Sequence, residues 1–270
     1  LGDIAIISPG IQTGADYVSK SHVEKYNLKN FNIGEGIYVI SEDEKNEKFS
    51  EDDYKYIKPF YKNSDIDRFH SKLDTDRYIL ITNEIEDIDK YPNIKEHLLR
   101  YKVILDKRYR NFALKKADKE GKWYALYGYR PNTNFEGNKI VTPYRGKEPR
   151  FSYVDKPYYA SIDVFYIDLL ECDFNYHFIL GILNSELILY WLDKNCKRKG
   201  DIFEFYTEPL SNIPIINADH KTQTDIANIV EDIIEKKKAL VELNDHSEVL
   251  DERNIKEYIN QRIEEIIDLN

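Results

Sequence analysis

The chain of 270 residues carries a formal net charge of −10, and 41% of its residues are hydrophobic. This hydrophobic content excludes a chain that is disordered throughout, and the length is sufficient to bury a large core. No run of about 18 apolar residues occurs, so we expect no membrane partner. Two cysteines, Cys172 and Cys196, are too few for a disulfide framework, which makes a reducing cytoplasm the expected location.

Hydrophobic periodicity and turn residues predict the elements of the first half of the chain. A helix is expected to begin at Pro92, because proline suits the first helical turn, and to end near residue 109. The acidic stretch at residues 41–53 is expected to be mobile. Strands are expected at residues 1–7, 36–40 and 77–82. The chain lacks methionine and opens inside an apolar run, which indicates part of a longer protein.

The second half of the chain contains further strands and longer helical patterns. One strand pair is expected at residues 139–144 and 150–154, around a turn at Gly146 and Lys147, followed by a strand at residues 162–167. A strongly apolar helix is expected at residues 174–192. From about residue 222, two amphipathic stripes separated by a polar break predict an antiparallel helical hairpin.

These elements predict an α+β fold with a mixed twisted sheet, packed helices and a C-terminal helical hairpin. We expect two domains. Residues 1–216 are the first, and residues 217–270 form the hairpin, packed on that domain or on a partner.

The charge is unevenly distributed along the chain. Residues 95–150 hold nine Lys and six Arg against six acidic residues, and four more cations lie at positions 194–199. The flanking residues 32–93 hold 16 acidic residues against nine basic ones, and residues 201–270 hold 17 against seven. An acidic net charge argues against a nucleic-acid partner, but this distribution allows a basic patch on an acidic protein.

The motifs of several enzyme classes are missing from the sequence. It has no P-loop, no G-x-S-x-G elbow and no paired Cys/His spacing for zinc. Triplets such as Asp43-Glu44-Lys45 have the spacing of a nuclease motif, but such triplets arise by chance in a highly charged chain. We therefore predict neither catalytic nor metal-binding residues in this chain.

Basic residues alternate with aromatic residues and amides in the middle of the chain. Lys and Arg neutralise phosphates, and Arg, Asn and Gln pair with base edges in the major groove. The Gly-flanked loop at residues 10–14 is expected to approach DNA through Gln12 and Thr13. The other candidate DNA contacts are Arg108, Arg110, Arg130, Arg145, Lys147, Arg150, Lys197, Arg198 and Lys199. Arg145 and Lys147 are favoured for bases, and residues 197–199 for phosphates.

Six ordered motifs resemble the C-terminal specificity domain of TaqI-type adenine DNA methyltransferases and of the related type IIG restriction–modification enzymes. The motifs are Gly10-Ile11-Gln12-Thr13-Gly14-Ala15-Asp16, Lys58-Pro59-Phe60 with Ser64-Asp65-Ile66-Asp67-Arg68, Tyr91-Pro92-Asn93-Ile94-Lys95-Glu96-His97-Leu98, Trp123-Tyr124-Ala125-Leu126, Lys139-Ile140-Val141-Thr142-Pro143 and Leu180-Gly181-Ile182-Leu183-Asn184-Ser185. Structural roles are expected for Asp65, Ile66, Asp67, Arg68 and Asn184.

The resemblance implies that catalysis and DNA recognition are carried by two separate domains. In that family an N-terminal domain binds S-adenosylmethionine and carries an N-P-P-[YF] motif, while the C-terminal domain reads double-stranded DNA for base flipping. This sequence contains no such motif. We therefore expect an inert recognition fragment of a site-specific adenine methyltransferase, with or without a fused endonuclease, that works with the N-terminal domain of the same protein.

Two alternatives remain at this point. The chain could be a specificity subunit that docks a partner through its helical hairpin. The third and least favoured hypothesis is a self-contained nuclease.

Overall fold

The computed structural model describes residues 1–108, 111–171 and 173–242. It confirms the predicted α+β class. The strands are β1 (Ala5–Pro9), β2 (Val39–Ser41), β3 (Ile57–Tyr61), β4 (Phe69–His70), β5 (Arg77–Leu80), β6 (Lys139–Pro143), β7 (Arg145–Gly146), β8 (Ser152–Val154), β9 (Tyr159–Ala160), β10 (Val164–Leu169), β11 (Lys197–Lys199) and β12 (Ile202–Glu204). The α-helices are α1 (Lys20–Tyr26), α2 (Glu42–Lys48), α3 (Pro92–Arg100), α4 (Lys102–Asp106), α5 (Phe112–Lys119), α6 (Tyr176–Leu183), α7 (Glu186–Asn195), α8 (Thr207–Ser211) and α9 (His220–Glu242).

A five-stranded central sheet with the order β1-β10-β6-β8-β4 separates two hydrophobic cores. Successive side chains of a strand point to opposite faces of its sheet. In β10, Val164 and Tyr166 therefore enter the first core, whereas Phe165 and Ile167 enter the second. Both faces of this central strand are covered, which explains its continuous apolar sequence.

The first core lies between the central sheet and a four-stranded sheet with the order β2-β5-β3-β9. Helices α3 and α4 add Ile94, Leu98 and Ile104 to it. The helix predicted from Pro92 onwards is interrupted at Tyr101, a buried residue that ends α3 and precedes α4. The prediction of one continuous helix is therefore wrong at this residue. The apolar face predicted for that helix nevertheless enters the first core.

The acidic stretch predicted to be mobile forms helix α2 in part. Ser41 begins it with a capping box, in which its hydroxyl accepts from the backbone N of Glu44 (3.1 Å) and the Glu44 carboxylate accepts from the backbone N of Ser41 (3.1 Å). A capping box satisfies amide groups that a helix start would otherwise leave unpaired. Local hydrogen bonds thus order a stretch whose composition indicated mobility.

The second core lies on the other face of the central sheet and is built from α6, α7 and α9. The apolar helix predicted over residues 174–192 is divided at Asn184, whose side chain binds the backbone of Phe151 at both N (3.2 Å) and O (2.9 Å). Ser185 then caps α7. The structural role expected for Asn184 is confirmed, and it explains why the helix breaks there.

Helix α9, the first half of the predicted hairpin, packs on α6 and buries Ile226, Val230 and Ile233 in the second core. The second half of the predicted hairpin lies outside the described residues. Among the residues that the structure describes, no helix has the length and apolar character required to cross a bilayer.

The contact between α6 and α9 depends on Gly181. A Cβ atom at this position would lie 3.0 Å from Cγ2 of both Ile226 and Val230. We expect Gly181→Val to lower the free energy of unfolding by about 1–3 kcal/mol, because extra methyl groups overpack a close helix crossing. Urea denaturation measures this loss. The comparison variant is Ile226→Ala, measured in the wild type and in the Gly181→Val background. It should cost less stability in the Gly181→Val background, where it also relieves part of the overpacking, and an equal cost in both backgrounds would contradict the packing argument.

The first core contains a buried histidine with a lowered pKa. His97 stacks edge-on against Phe49 and Tyr101, and its Nε2 lies 2.9 Å from the carbonyl oxygen of Ile37. Because a carbonyl only accepts, Nε2 carries the hydrogen. Burial, opposed in part by this hydrogen bond, lowers the pKa of His97 from 6.5 to about 4.

We expect the folded state to lose stability as the pH falls from 6.5 towards 4. In this range the unfolded chain binds a proton at position 97 before the folded chain does, so up to about 3 kcal/mol is lost. Urea midpoints at pH 7 and pH 4.5 measure the change. His97→Phe should show a smaller loss between the two pH values than the wild type, whereas His220→Gln, at an exposed position, should match the wild type. Equal losses in all three proteins would contradict this assignment.

Candidate nucleic-acid interface

A separate three-stranded sheet, with the order β11-β12-β7, brings together basic residues that are distant in sequence. Arg145 in β7 pairs with Glu204 in β12, and Lys197 in β11 pairs with Glu204 from the other side. The turn predicted at Gly146 and Lys147 is thus partly a strand of this small sheet. We call the surface formed by β7, β11 and β12 the basic sheet.

A tight turn joins β11 to β12. Lys199 pairs with Ile202, so only Gly200 and Asp201 form the loop, and Gly200 has φ +62°. A two-residue hairpin loop with a positive φ at its first residue favours glycine there and fits the twist of antiparallel strands. The local sequence therefore fixes the register of the basic run.

The strand alternation divides the basic run between two faces. Lys197 and Lys199 lie on the same face as Glu204, and all three cations of β11 are exposed. Arg198 faces the other way, with its guanidinium 4.2 Å from the ring centre of Phe203 and Nη1 2.5 Å from Oδ1 of Asp193. The face with Lys197 and Lys199 is the one that Arg145 shares.

Glu204 lies at the centre of this face. Its Oε1 accepts from Nε (3.0 Å) and Nη2 (2.6 Å) of Arg145, and its Oε2 accepts from the hydroxyl of Tyr206 (3.2 Å). The Nζ of Lys197 lies 4.0 Å from Oε2. Desolvation raises the pKa of Glu204, but the hydrogen bonds from Arg145 and Tyr206 outweigh it, so the pKa is lowered and the carboxylate stays ionised.

The loop at residues 10–14 lies at the same end of the central sheet as the basic sheet. Strands β1 and β6 both pair antiparallel with β10, so they run parallel to each other and end on the same side. The backbone N of Gly10 donates to Val164 O (2.8 Å), and that of Tyr144 donates to Asp163 O (2.7 Å). The segments that follow β1 and β6 are therefore both bound to the start of β10. Because only β10 lies between β1 and β6, these two segments begin about 10 Å apart.

The two residues predicted in this loop have different environments. Gln12 is exposed and forms a backbone bridge to Gly128. Thr13 is buried, and its hydroxyl donates to Asp16 and accepts from the backbone N of Ala15 (3.1 Å). These contacts keep the Thr13 hydroxyl inside the loop, so Gln12 is the side chain available to an external ligand.

Arg108 has the environment of a structural residue. Its side chain is buried, and it donates to the carbonyl oxygens of Leu105 (3.2 Å), Thr13 (3.0 Å) and Ala125 (3.0 Å). The guanidinium therefore links the loop at residues 10–14 to α4 and to the segment around Ala125. This arrangement is more consistent with a role of Arg108 in holding the loop than with the direct DNA contact predicted from the sequence.

Three of the remaining predicted residues differ in their exposure. Arg130 and Lys147 are exposed, and Arg150 is half-buried. Within the described part of the chain, neither Lys147 nor Lys199 forms an ion pair, so both present uncompensated positive charge. Arg110 lies outside the described residues.

Sequence reasoning missed Glu204 and Tyr206. A signal was present, because Glu204 stands between Phe203 and Phe205, and this alternation indicates a short strand with one polar face. The partner of Glu204, however, is 59 residues away in sequence. No group of three or more His, Cys, Asp or Glu side chains is placed to hold a metal ion in residues 1–108, 111–171 and 173–242.

Comparison with known proteins identifies the family. Residues 92–215 match the model of the TaqI-like C-terminal specificity domain. This range contains β7, β11 and β12 and thus the whole basic sheet. The chain therefore carries a TaqI-like C-terminal specificity domain, as the sequence motifs predicted.

Two curated relatives are type II methyltransferases. The chain is 32% identical to M.MjaIV of Methanocaldococcus jannaschii over 204 residues, which cover 73% of this chain and 66% of that protein. It is 29% identical to M.HindII of Haemophilus influenzae over 176 residues, which cover 60% of this chain and 33% of that protein. The chain thus spans about two thirds of the length of the first relative and one third of the second.

A solved structure shares the fold. The type IIL restriction–modification enzyme MmeI, determined in complex with DNA, superposes with a TM-score of 0.68 at 13% identity. The superposition covers 99% of this chain and 33% of MmeI. The arrangement of the two cores therefore occurs within a larger restriction–modification enzyme.

Proposed function

We propose that this chain is the DNA-recognition part of a restriction–modification adenine methyltransferase, and that the basic sheet and the loop at residues 10–14 contact duplex DNA. One observation carries the proposal: the fold joins Arg145 to residues 197–199 in a single sheet with exposed cations, inside the range matched by the specificity-domain family. The sequence alone selects the same residues as DNA contacts.

The chemistry of the face suits this role. Lys197, Lys199 and Lys147 are exposed cations that neutralise phosphates, whereas Arg145 presents a fixed guanidinium of the kind that reads base edges. Gln12 supplies an amide, which pairs with adenine in the major groove. The acidic blocks elsewhere in the chain repel DNA and thereby favour binding at this face.

The catalytic step is assigned to another domain. The sequence contains no N-P-P-[YF] motif, so no residue of this chain is assigned a role in methyl transfer from S-adenosylmethionine. We propose that an N-terminal methyltransferase domain of the same protein binds S-adenosylmethionine, as the methyltransferase relatives suggest, with or without a fused endonuclease as in type IIG enzymes.

We retain the domain boundaries and the location as parts of this proposal. We propose that residues 1–216 form the recognition domain and that residues 217–270 form a helical hairpin packed on that domain or on a partner. The described part of the second region, α9, supports packing on the domain, because Ile226 and Val230 are buried in the second core. A cytoplasmic location follows from the scarcity of cysteine.

The proposal is tested by titrating a fluorescent DNA duplex with the 270-residue chain at several salt concentrations. We expect weak binding whose affinity falls linearly with salt on a double-logarithmic plot, because phosphate neutralisation releases counterions. An affinity that does not change with salt, or an absence of binding at low salt, would overturn the proposed interface.

A further inference from the structure

An acidic residue occupies the middle of the surface proposed to bind DNA. The side chain of Glu204 is only 5% exposed, whereas that of Arg145 is 49% exposed. A carboxylate next to phosphates weakens binding to DNA of any sequence. Its position therefore requires an explanation other than affinity for the DNA backbone.

The hydrogen-bond geometry suggests what Glu204 does. One carboxylate oxygen accepts from both Nε and Nη2 of Arg145, while the guanidinium carbon lies 4.7 Å from the ring centre of Tyr144. Two hydrogen bonds along one edge and a ring against one face fix both the position and the plane of the guanidinium. The two N–H groups of Nη1 do not take part in the contact with Glu204.

A guanidinium fixed in this way suits one base in particular. Arginine reads guanine by donating to O6 and N7 together, and this contact requires the plane of the guanidinium to match the plane of the base. A side chain with several free torsions makes this contact only after losing conformational freedom. A partner that holds the side chain in place beforehand removes part of that cost.

We propose that Glu204 is a positioning residue that fixes the guanidinium of Arg145 for a guanine base edge, and so determines base preference without contacting DNA. This inference rests on the proposed function. The Tyr206 hydroxyl, bound to the second oxygen of Glu204 (3.2 Å), keeps the carboxylate oriented, and Tyr206 in turn packs edge-on against Tyr144 with ring centres 5.2 Å apart.

The test compares base preference in four variants with that of the wild-type chain. The variants are Arg145→Ala, Glu204→Gln, the double variant Arg145→Ala/Glu204→Gln, and Glu208→Gln, a control that removes one exposed acidic charge nearby. Duplexes with randomised sequence are selected on each protein and sequenced. Thermal melting checks that each variant is folded, and Glu204→Asp, which withdraws the carboxylate by one carbon, replaces Glu204→Gln if the latter is unfolded.

We expect the wild type to prefer guanine at one position and Arg145→Ala to lose that preference about tenfold or more. Glu204→Gln should weaken the same preference at the same position while raising affinity for all duplexes. The double variant should show no loss beyond that of Arg145→Ala, because Glu204 acts through Arg145. Glu208→Gln should raise general affinity but keep the preference.

The outcomes separate the two proposals. If Glu204→Gln and Glu204→Asp keep the full guanine preference while Arg145→Ala loses it, the positioning role is wrong and the proposed interface stands. If Arg145→Ala itself keeps the preference, the positioning role is also wrong. If the wild-type chain neither binds duplex DNA nor selects any sequence, the proposed function fails together with this inference.

Discussion

Replacement of Lys197, Arg198 and Lys199 by glutamine is expected to cause the largest loss of DNA affinity. All three side chains are exposed on β11, but only Lys197 and Lys199 lie on the face that Arg145 shares, whereas Arg198 faces the other way and pairs with Asp193. If Lys197 and Lys199 each neutralise one phosphate, the triple variant lowers the salt slope by about 1.8. At about 50 mM salt the affinity should then fall by about a hundredfold or more.

Fluorescence anisotropy over a range of salt concentrations measures both the affinity and the slope. The matched control is Lys221, Lys236 and Lys238 replaced together by glutamine, which removes the same charge from α9. Helix α9 packs on α6 and β4, and β4 lies at the edge of the central sheet opposite β1. The same loss in both triple variants would show that net charge, not the basic sheet, controls binding, and would contradict the proposed interface.

Substitution of Arg108 by alanine should produce the largest loss of stability. The side chain donates to three backbone carbonyl groups, and its guanidinium carbon lies 5.3 Å from the ring centre of Tyr38. Its removal leaves buried carbonyl oxygens without these donors and opens a cavity beside the loop at residues 10–14. We expect the free energy of unfolding to fall by about 3 kcal/mol or more.

Urea denaturation of Arg108→Ala measures this loss, with Arg130→Ala as the control at an exposed arginine. The control should stay within about 0.5 kcal/mol of the wild type. Arg108→Lys should recover little of the loss, because a lysine ammonium lacks the planar fork that reaches several carbonyl groups. If Arg108→Ala were instead as stable as the wild type but bound DNA more weakly, this result would support the direct DNA contact predicted for Arg108 from the sequence.

The strands of the central sheet are predictable because their sequences carry both the pattern and the turn signals. The predicted strand at residues 162–167 corresponds to β10, and the predicted pair at residues 139–144 and 150–154 corresponds to β6 and β8. Apolar runs bounded by polar turns report local structure directly. The ordered motifs likewise indicate the family, because each is a short contiguous run that can be recognised without knowledge of distant contacts.

The interruptions of the helices are not predictable from periodicity. The break at Asn184 depends on hydrogen bonds to Phe151, which is 33 residues away in sequence. Likewise, the basic sheet forms only when β12 pairs with both β11 and the distant β7. Charge counting selects Arg145 and residues 197–199 separately, but only the strand pairing shows that Arg145 shares a face with Lys197 and that Glu204 lies between them.

The hairpin formed by β11 and β12 carries the surface proposed to bind DNA on one face and packs into the core with the other. Its inner residue Phe203 is buried in the second core, whereas Lys197, Lys199 and Ile202 on the outer face are exposed. Substitutions on an exposed face usually change stability by less than about 0.5 kcal/mol. The exposed outer positions are therefore free to diverge during evolution without loss of the scaffold, and if this surface binds DNA as proposed, it can acquire new target sequences by point mutation.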